Sequence, residues 1–86
     1  MANRRRLALV EVTWRDIVSD SSWTPDDEVD KQHPADCRSV GYLRRWDDDN
    51  LLLSHTVNGD GSDYTTIPSG AVSGVRNLRR AGARTR

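Results

Sequence analysis

Short segments of alternating apolar residues, each ended by a cluster of turn-forming residues, constrain the fold of this chain most strongly. In the first of these segments Val10, Val12 and Trp14 occupy every second position, which is the period of a strand with one buried face. Residues 58–61, with the sequence Asn-Gly-Asp-Gly, are the strongest local hairpin signal in the chain. Period-two segments joined by tight turns predict a mainly β fold.

Five strands follow from this pattern. They are predicted at residues 7–14, 37–46, 51–57, 62–67 and 71–78. In the second strand, Gly41 indicates a bend or a close approach of another backbone. The last segment has its apolar residues three apart, a spacing that also fits a helix.

One short helix is predicted near residues 24–31, after the first strand. Thr24 can cap it and Pro25 suits its first position. Pro34, which follows His33, ends it. A turn is predicted at residues 47–50, because Asp and Asn side chains hydrogen-bond the local backbone.

The length of 86 residues allows one domain with one modest core. We assign residues 7–78 to that domain, and residues 1–6 and 79–86 to disordered basic tails. Because closing a sheet removes its edges, the strands are expected to form a small, closed or nearly closed five-stranded barrel. The predicted core consists of Val10, Val12, Trp14, Trp23, Val40, Tyr42, Leu51, Leu53, Ile67, Val72 and Val75.

The apolar segments and the cysteine content indicate the compartment. No apolar run approaches the roughly 18–20 residues of a membrane-spanning helix. The single Cys37 excludes an intramolecular disulfide and fits a reducing environment. We therefore expect a cytoplasmic protein that does not engage a membrane.

A net charge of zero conceals a strong segregation of charge along the chain. All thirteen acidic residues lie within residues 11–63, whereas the flanking residues 1–10 and 64–86 contain eight arginines and no acid. The basic ends can be solvated tails, or they can neutralise phosphates in a nucleic acid. The nucleic-acid interpretation predicts contacts from Arg4, Arg5, Arg6, Arg76, Arg79 and Arg80.

The sequence contains no recognisable catalytic or metal-binding motif. The two histidines, His33 and His55, accompany no Gly-x-Ser-x-Gly segment and no phosphate-binding glycine loop. Cys37 stands alone, without the paired ligand spacing of a structural zinc site. We predict a protein that is not an enzyme and that holds no metal or cofactor.

Residues 40–53 resemble the first motif of the Sm-like family of small five-stranded barrels. The motif consists of Gly41, an apolar residue two positions later, the aromatic–acid pair Trp46-Asp47, and Asn50 followed by apolar residues. Ile67, Val72 and Val75 repeat the apolar spacing of the family's second motif. Asp47 and Asn50 are one residue closer than the family pattern has them, and Pro68-Ser69 replaces an Arg-Gly pair.

The resemblance implies an Sm-like barrel, and it places Asp47 and Asn50 at positions that contact RNA in the family. With the neighbouring Arg44, Arg45 and Trp46 they form the predicted ligand-binding set. Trp46 can stack on a base in this set, or it can be a packing ring.

The chain also resembles a group of small bacteriophage proteins. The residues that carry this resemblance are 10–16, Trp23, 39–43 and 67–75. Such proteins often modulate or block host machinery, including defence signalling, by binding. The resemblance implies a phage accessory protein in the cytoplasm of an infected bacterial host.

Together these observations predict a non-catalytic binding protein. It is expected to engage a host protein or to sequester a small anionic, nucleotide-like molecule. A homo-oligomer is compatible with this prediction, because a small barrel gains buried area when edges pair. The alternative is a nucleic-acid-binding Sm-like module that uses its arginine-rich tails.

Overall fold

A computed structural model describes residues 7–78. Its elements are strand β1 (Ala8–Asp16), helix α1 (Asp26–Val29), strands β2 (Ala35–Trp46), β3 (Asn50–Ser54) and β4 (Thr65–Pro68), a 3-10 turn (Ser69–Ala71) and strand β5 (Val72–Asn77). The strands form one antiparallel sheet in the order β4-β3-β2-β1-β5. The mainly β class and the single short helix after the first strand are confirmed for the described residues. The predicted tails lie outside those residues.

The sheet is open, so the predicted barrel closure is wrong. β4 and β5 are the two edge strands, and no ladder joins them among residues 7–78. β4 is only four residues long and ends at Pro68, which has no N–H to offer to a further strand. Only the 3-10 turn separates β4 from β5, so the sheet must curve although its edges do not pair.

The core lies on one face of this curved sheet. Its fully buried apolar residues are Val10, Val12, Leu51, Leu53 and Ile67, and Trp14, Leu43, Ala71, Val72 and Val75 pack against them. Eight of the eleven predicted core residues are therefore in the core or against it. Trp23, Val40 and Tyr42 are exposed instead.

The register of β1 against β2 explains why Val40 and Tyr42 lie on the outer face. Val10 lies opposite Gly41, whereas Glu11 lies opposite Val40. Opposite residues of an antiparallel pair share a face. The core face of β2 therefore presents Gly41 and Leu43, and Val40 and Tyr42 point away from it.

Helix α1 and strands β3 and β4 are each shorter than the sequence predicts. Thr24 does not cap α1, because its hydroxyl donates to the Ser22 carbonyl, and Pro25 holds the cap position. β3 ends at Ser54 because the next two backbone N–H groups donate to the Asp63 carboxylate, at 2.8 and 2.7 Å. Beyond that point a single bridge joins Val57 to Ser62.

Gly41 allows the close approach that its sequence position suggested. A Cβ at this position would lie 2.9 Å from the Ser54 carbonyl oxygen and 3.2 Å from both His55 Nδ1 and the Leu53 Cβ. The Ser54 carbonyl oxygen belongs to the β3 backbone and the Leu53 Cβ is bonded directly to it, so neither atom can move away by side-chain rotation. A side chain here would push β3 away from β2.

We predict that Gly41→Ala lowers the free energy of unfolding by about 1–3 kcal/mol, the usual cost of overpacking. The measurement is urea denaturation followed by circular dichroism. Gly61→Ala is the matched control, because a Cβ there meets nothing within 4 Å. Equal midpoints for the two variants would contradict the account of Gly41.

Candidate functional site

The connection between β1 and β2, residues 17–34, is the most unusual surface of the described chain, and we call it the arm. Its only regular structure is α1, none of whose residues is buried. Trp23 is 99% exposed and Ile17 is 86% exposed, and Val18 and Val29 are also exposed. No residue of the arm belongs to the core or packs against it. The arm therefore presents apolar side chains that contribute little to folding.

Local hydrogen bonds hold the backbone of the arm. The Asp20 carboxylate accepts bonds from both the backbone N–H and the hydroxyl of Ser22, at 2.9 and 2.7 Å. The Ser22 hydroxyl and then its N–H lower the pKa of Asp20 below its ordinary value. Gln32 and Lys31 contact Glu28 at the end of α1. These contacts shape the loop next to Trp23 without covering its indole ring.

The arm is also strongly acidic. It carries Asp20, Asp26, Asp27, Glu28 and Asp30, with Lys31 as its one basic residue other than histidine. Within residues 7–78 the only ion pair made by these acids joins Glu28 to Lys31 at 3.3 Å. The exposed indole of Trp23 is therefore surrounded in sequence by uncompensated negative charge.

The predicted ligand-binding residues lie at the opposite end of β1, where β2 turns into β3. Trp46 is half-exposed, and with Asp47, Asp48, Ser69 and Gly70 it lines a surface depression of about 470 Å³. The 3-10 turn is fixed to this hairpin, because the Ser69 hydroxyl donates to the Asp47 carbonyl at 2.6 Å. The depression thus has two carboxylates at its rim and no arginine in its lining.

The arginines of the predicted set do not converge on that depression. Arg45 Nε is 3.1 Å from Asp47 Oδ2. Arg44 is the extra residue of a bulge in β2 and donates to the hydroxyls of Ser54 and Ser62, at 3.2 and 3.1 Å. The role of these residues in binding stays a prediction.

Asp47 and Asn50 build the turn. The Asp47 carboxylate accepts the backbone N–H groups of Asp49 and Asn50, both at 2.9 Å, and Asn50 pairs with Pro68 of β4. These two backbone bonds lower the pKa of Asp47 below its ordinary value, with a further contribution from Arg45. The carboxylate is thus already engaged within the hairpin.

A polar cluster between β2, β3 and β4 was not found from the sequence. Ser54 is fully buried and donates to Ser62 Oγ at 3.2 Å. His55 contacts the Val40 carbonyl through Nδ1 and the Thr65 hydroxyl through Nε2, both at 2.9 Å. No sequence motif predicts this cluster, because its residues are brought together only by the register of the strands.

Of the six arginines predicted for nucleic acid, only Arg76 lies within the described residues. Its guanidinium is 3.0 Å from the Glu11 carboxylate across β5 and β1. Arg4, Arg5, Arg6, Arg79 and Arg80 lie outside the described part of the chain.

Residues 7–78 contain no group of three or more metal-ligating side chains placed to hold an ion. In the same residues, no helix has the length and the apolarity to cross a bilayer. Comparison of the chain with protein-family models, curated proteins and solved structures found no match. Membership of the Sm-like family and of the bacteriophage group therefore stays a prediction.

The lowered pKa of Asp47 gives a pH-dependent prediction. The folded state favours the ionised carboxylate, so this group stabilises the fold above its ordinary pKa and loses that effect as the pH falls through the lowered value. We expect Asp47→Ala to be less stable than the parent at pH 7, with a difference that shrinks as the solution is acidified.

The measurement is the urea midpoint of the two proteins between neutral and acidic pH. Asp48→Ala is the control, because the Asp48 carboxylate makes no hydrogen bond or ion pair within residues 7–78. A stability difference for Asp47→Ala that is the same at every pH would contradict the assignment.

Proposed function

We propose that this protein is a non-catalytic binding protein that engages a partner protein through the arm. The observation that carries the proposal is the exposure of Trp23, which is 99% accessible and lies on the same connection as Ile17, which is 86% accessible. Tryptophan is among the residues that most often dominate the energy of protein interfaces. A large ring that adds nothing to the core gains energy only when another molecule covers it.

Burial of one such ring is a substantial driving force. An aromatic side chain buries about 150–250 Å², which corresponds to roughly 4–6 kcal/mol at about 25 cal/mol per Å². Ordering a side chain at an interface costs about 0.5–1.5 kcal/mol. A partner with a pocket for Trp23 would therefore gain more from contact than the ordering of that side chain costs.

The charge of the described residues favours a basic partner over an anionic ligand. Residues 7–78 hold all thirteen acids but only six of the thirteen lysines and arginines, which leaves a net charge of 6 − 13 = −7. Four of those six already form ion pairs with acids of the same residues: Arg15 with Asp36, Lys31 with Glu28, Arg45 with Asp47 and Arg76 with Glu11. The field of this surface repels phosphates and attracts a positively charged protein.

The resemblance to small bacteriophage proteins supports a host protein as the partner, in the cytoplasm of an infected bacterium. The motif in residues 40–53 supports an Sm-like origin of the sheet, in a form whose edges remain unpaired. Nucleic-acid binding by the arginine-rich ends is the competing function. The nucleic-acid function requires the arginine-rich ends for binding, whereas the proposed function requires the arm.

We predict that Trp23→Ala reduces capture of the partner protein at least tenfold, about 1.4 kcal/mol, because the indole is the anchor. Its free energy of unfolding should stay within about 0.5 kcal/mol of the parent, since the ring is outside the core. The measurement is affinity capture from a nuclease-treated bacterial lysate, quantified by mass spectrometry.

Tyr64→Ala is the matched control, because Tyr64 is 70% exposed on the β3–β4 connection. Capture that Tyr64→Ala and Trp23→Ala reduce equally would contradict the arm as the contact surface. Capture that occurs only in a parallel lysate without nuclease, or that disappears on removal of residues 1–6 and 79–86, would favour the nucleic-acid function instead.

A further inference from the structure

The arm has a second candidate ligand within this chain itself. We propose that the arm of one copy binds the arginine-rich segment 79–86 of a second copy, so that the free protein self-associates head to tail. The inference rests on the proposed function, because it takes the arm as the contact surface. It adds a regulation of that surface, since self-association covers the residues that a partner protein would need.

Charge disfavours the simplest alternative, a symmetric contact of two arms. Each arm carries five acids and one lysine, so two apposed arms would place like charges together. Asp26, Asp27 and Asp30 make no ion pair within residues 7–78. The occupant of the arm is therefore a positively charged segment.

The segment 79–86 has the required chemistry. It contains Arg79, Arg80, Arg84 and Arg86 and no acid. Guanidinium groups bind carboxylates through paired hydrogen bonds, and they also stack on the face of an exposed indole. The arm offers both, with the free carboxylates of α1 and the uncovered ring of Trp23.

The topology makes this contact intermolecular for the first arginines. The Leu78 N–H donates to the Leu9 carbonyl at 2.9 Å, so Leu78, the last described residue, lies beside the start of β1. Asp16, at the base of the arm, is seven residues further along β1, roughly 23 Å away at about 3.3 Å per residue. Arg79 and Arg80 lie within about 7 Å of chain from Leu78. In one copy Arg79 and Arg80 therefore fall short of Asp16, whereas a second copy can supply them.

In a head-to-tail pair, one arm and one arginine-rich segment remain free. Further copies can therefore add to the pair, and the assembly extends into chains or closes into rings. Its ion pairs are exposed, and exposed pairs are individually weak and screened by salt. The association is therefore expected to be modest, concentration-dependent and abolished at high ionic strength.

Sedimentation velocity of the full chain, over a range of protein concentrations, tests the proposal. At about 20 mM NaCl the sedimentation coefficient should rise with concentration, and at about 500 mM NaCl it should stay that of the monomer. A monomer at both salt concentrations would overturn the inference. Association that high salt leaves unchanged would overturn it too.

Two triple variants with the same change of charge identify the surface. Asp26→Asn/Asp27→Asn/Asp30→Asn removes three of the five acids of the arm, and Asp48→Asn/Asp49→Asn/Asp60→Asn removes three acids of the turns. The arm variant should weaken self-association about tenfold or more, and the turn variant less than about threefold. Equal weakening, or a larger effect of the turn variant, would overturn the inference.

Trp23→Ala links this result to the proposed function. If Trp23→Ala loses partner capture but the parent protein is a monomer at low salt, self-association is refuted and the proposed function is supported. If self-association is salt-dependent and requires the arm, but neither the parent nor any variant captures a partner protein, the inference is supported and the proposed function is refuted.

Discussion

The register of β1 against β2, with Val10 opposite Gly41, is the constraint on which the rest of the structure depends. It selects the core face of the sheet, on which the fully buried Val10 and Val12 lie opposite the small residues Gly41 and Ser39. The missing side chain at Gly41 lets the Ser54 carbonyl approach, which brings β3 and its leucines over the same face. The arm follows the last residue of β1, whereas Leu78, the last described residue, lies beside the start of that strand.

Much of the fold could be predicted because strand periodicity is a local signal. Val10, Val12, Leu51, Leu53 and Ile67 were all expected in the core and are buried there. Val40 and Tyr42 were assigned to the wrong face, because a glycine gives no apolar signal to fix the phase of β2. Closure of the barrel was wrong because it depends on pairing between β4 and β5, which no local pattern encodes.

In the candidate site, too, the local features could be predicted from the sequence and the contacts between distant residues could not. The turn at residues 47–50 was predicted from composition, and the Asp47 carboxylate does hold its backbone. Its neighbours Arg44 and Arg45 were expected to share a ligand, but their partners are set by strand register and a bulge. Trp23 was expected in the core because large rings usually are buried. Only the three-dimensional structure reveals that no side chain within residues 7–78 covers it.

The arm therefore combines one exposed indole ring and exposed aliphatic side chains with acids of which only Glu28 is ion-paired within residues 7–78. An apolar surface that a folded chain leaves uncovered usually marks a contact with another molecule. Under the proposals above, the acids favour a basic molecule, either a partner protein or the arginine-rich segment of a second copy. In this account the sheet is a rigid support, and the arm is the part that binds.

Fluorine NMR of protein labelled with 5-fluorotryptophan tests this account most directly. The three tryptophans report on three environments: Trp14 packs against the core, Trp46 lines the turn depression and Trp23 lies on the arm. On addition of bacterial lysate in high salt, the account predicts that the Trp23 resonance broadens or shifts while the other two stay unchanged. A change confined to Trp46, with Trp23 unaffected, would contradict it and place binding at the β2–β3 turn.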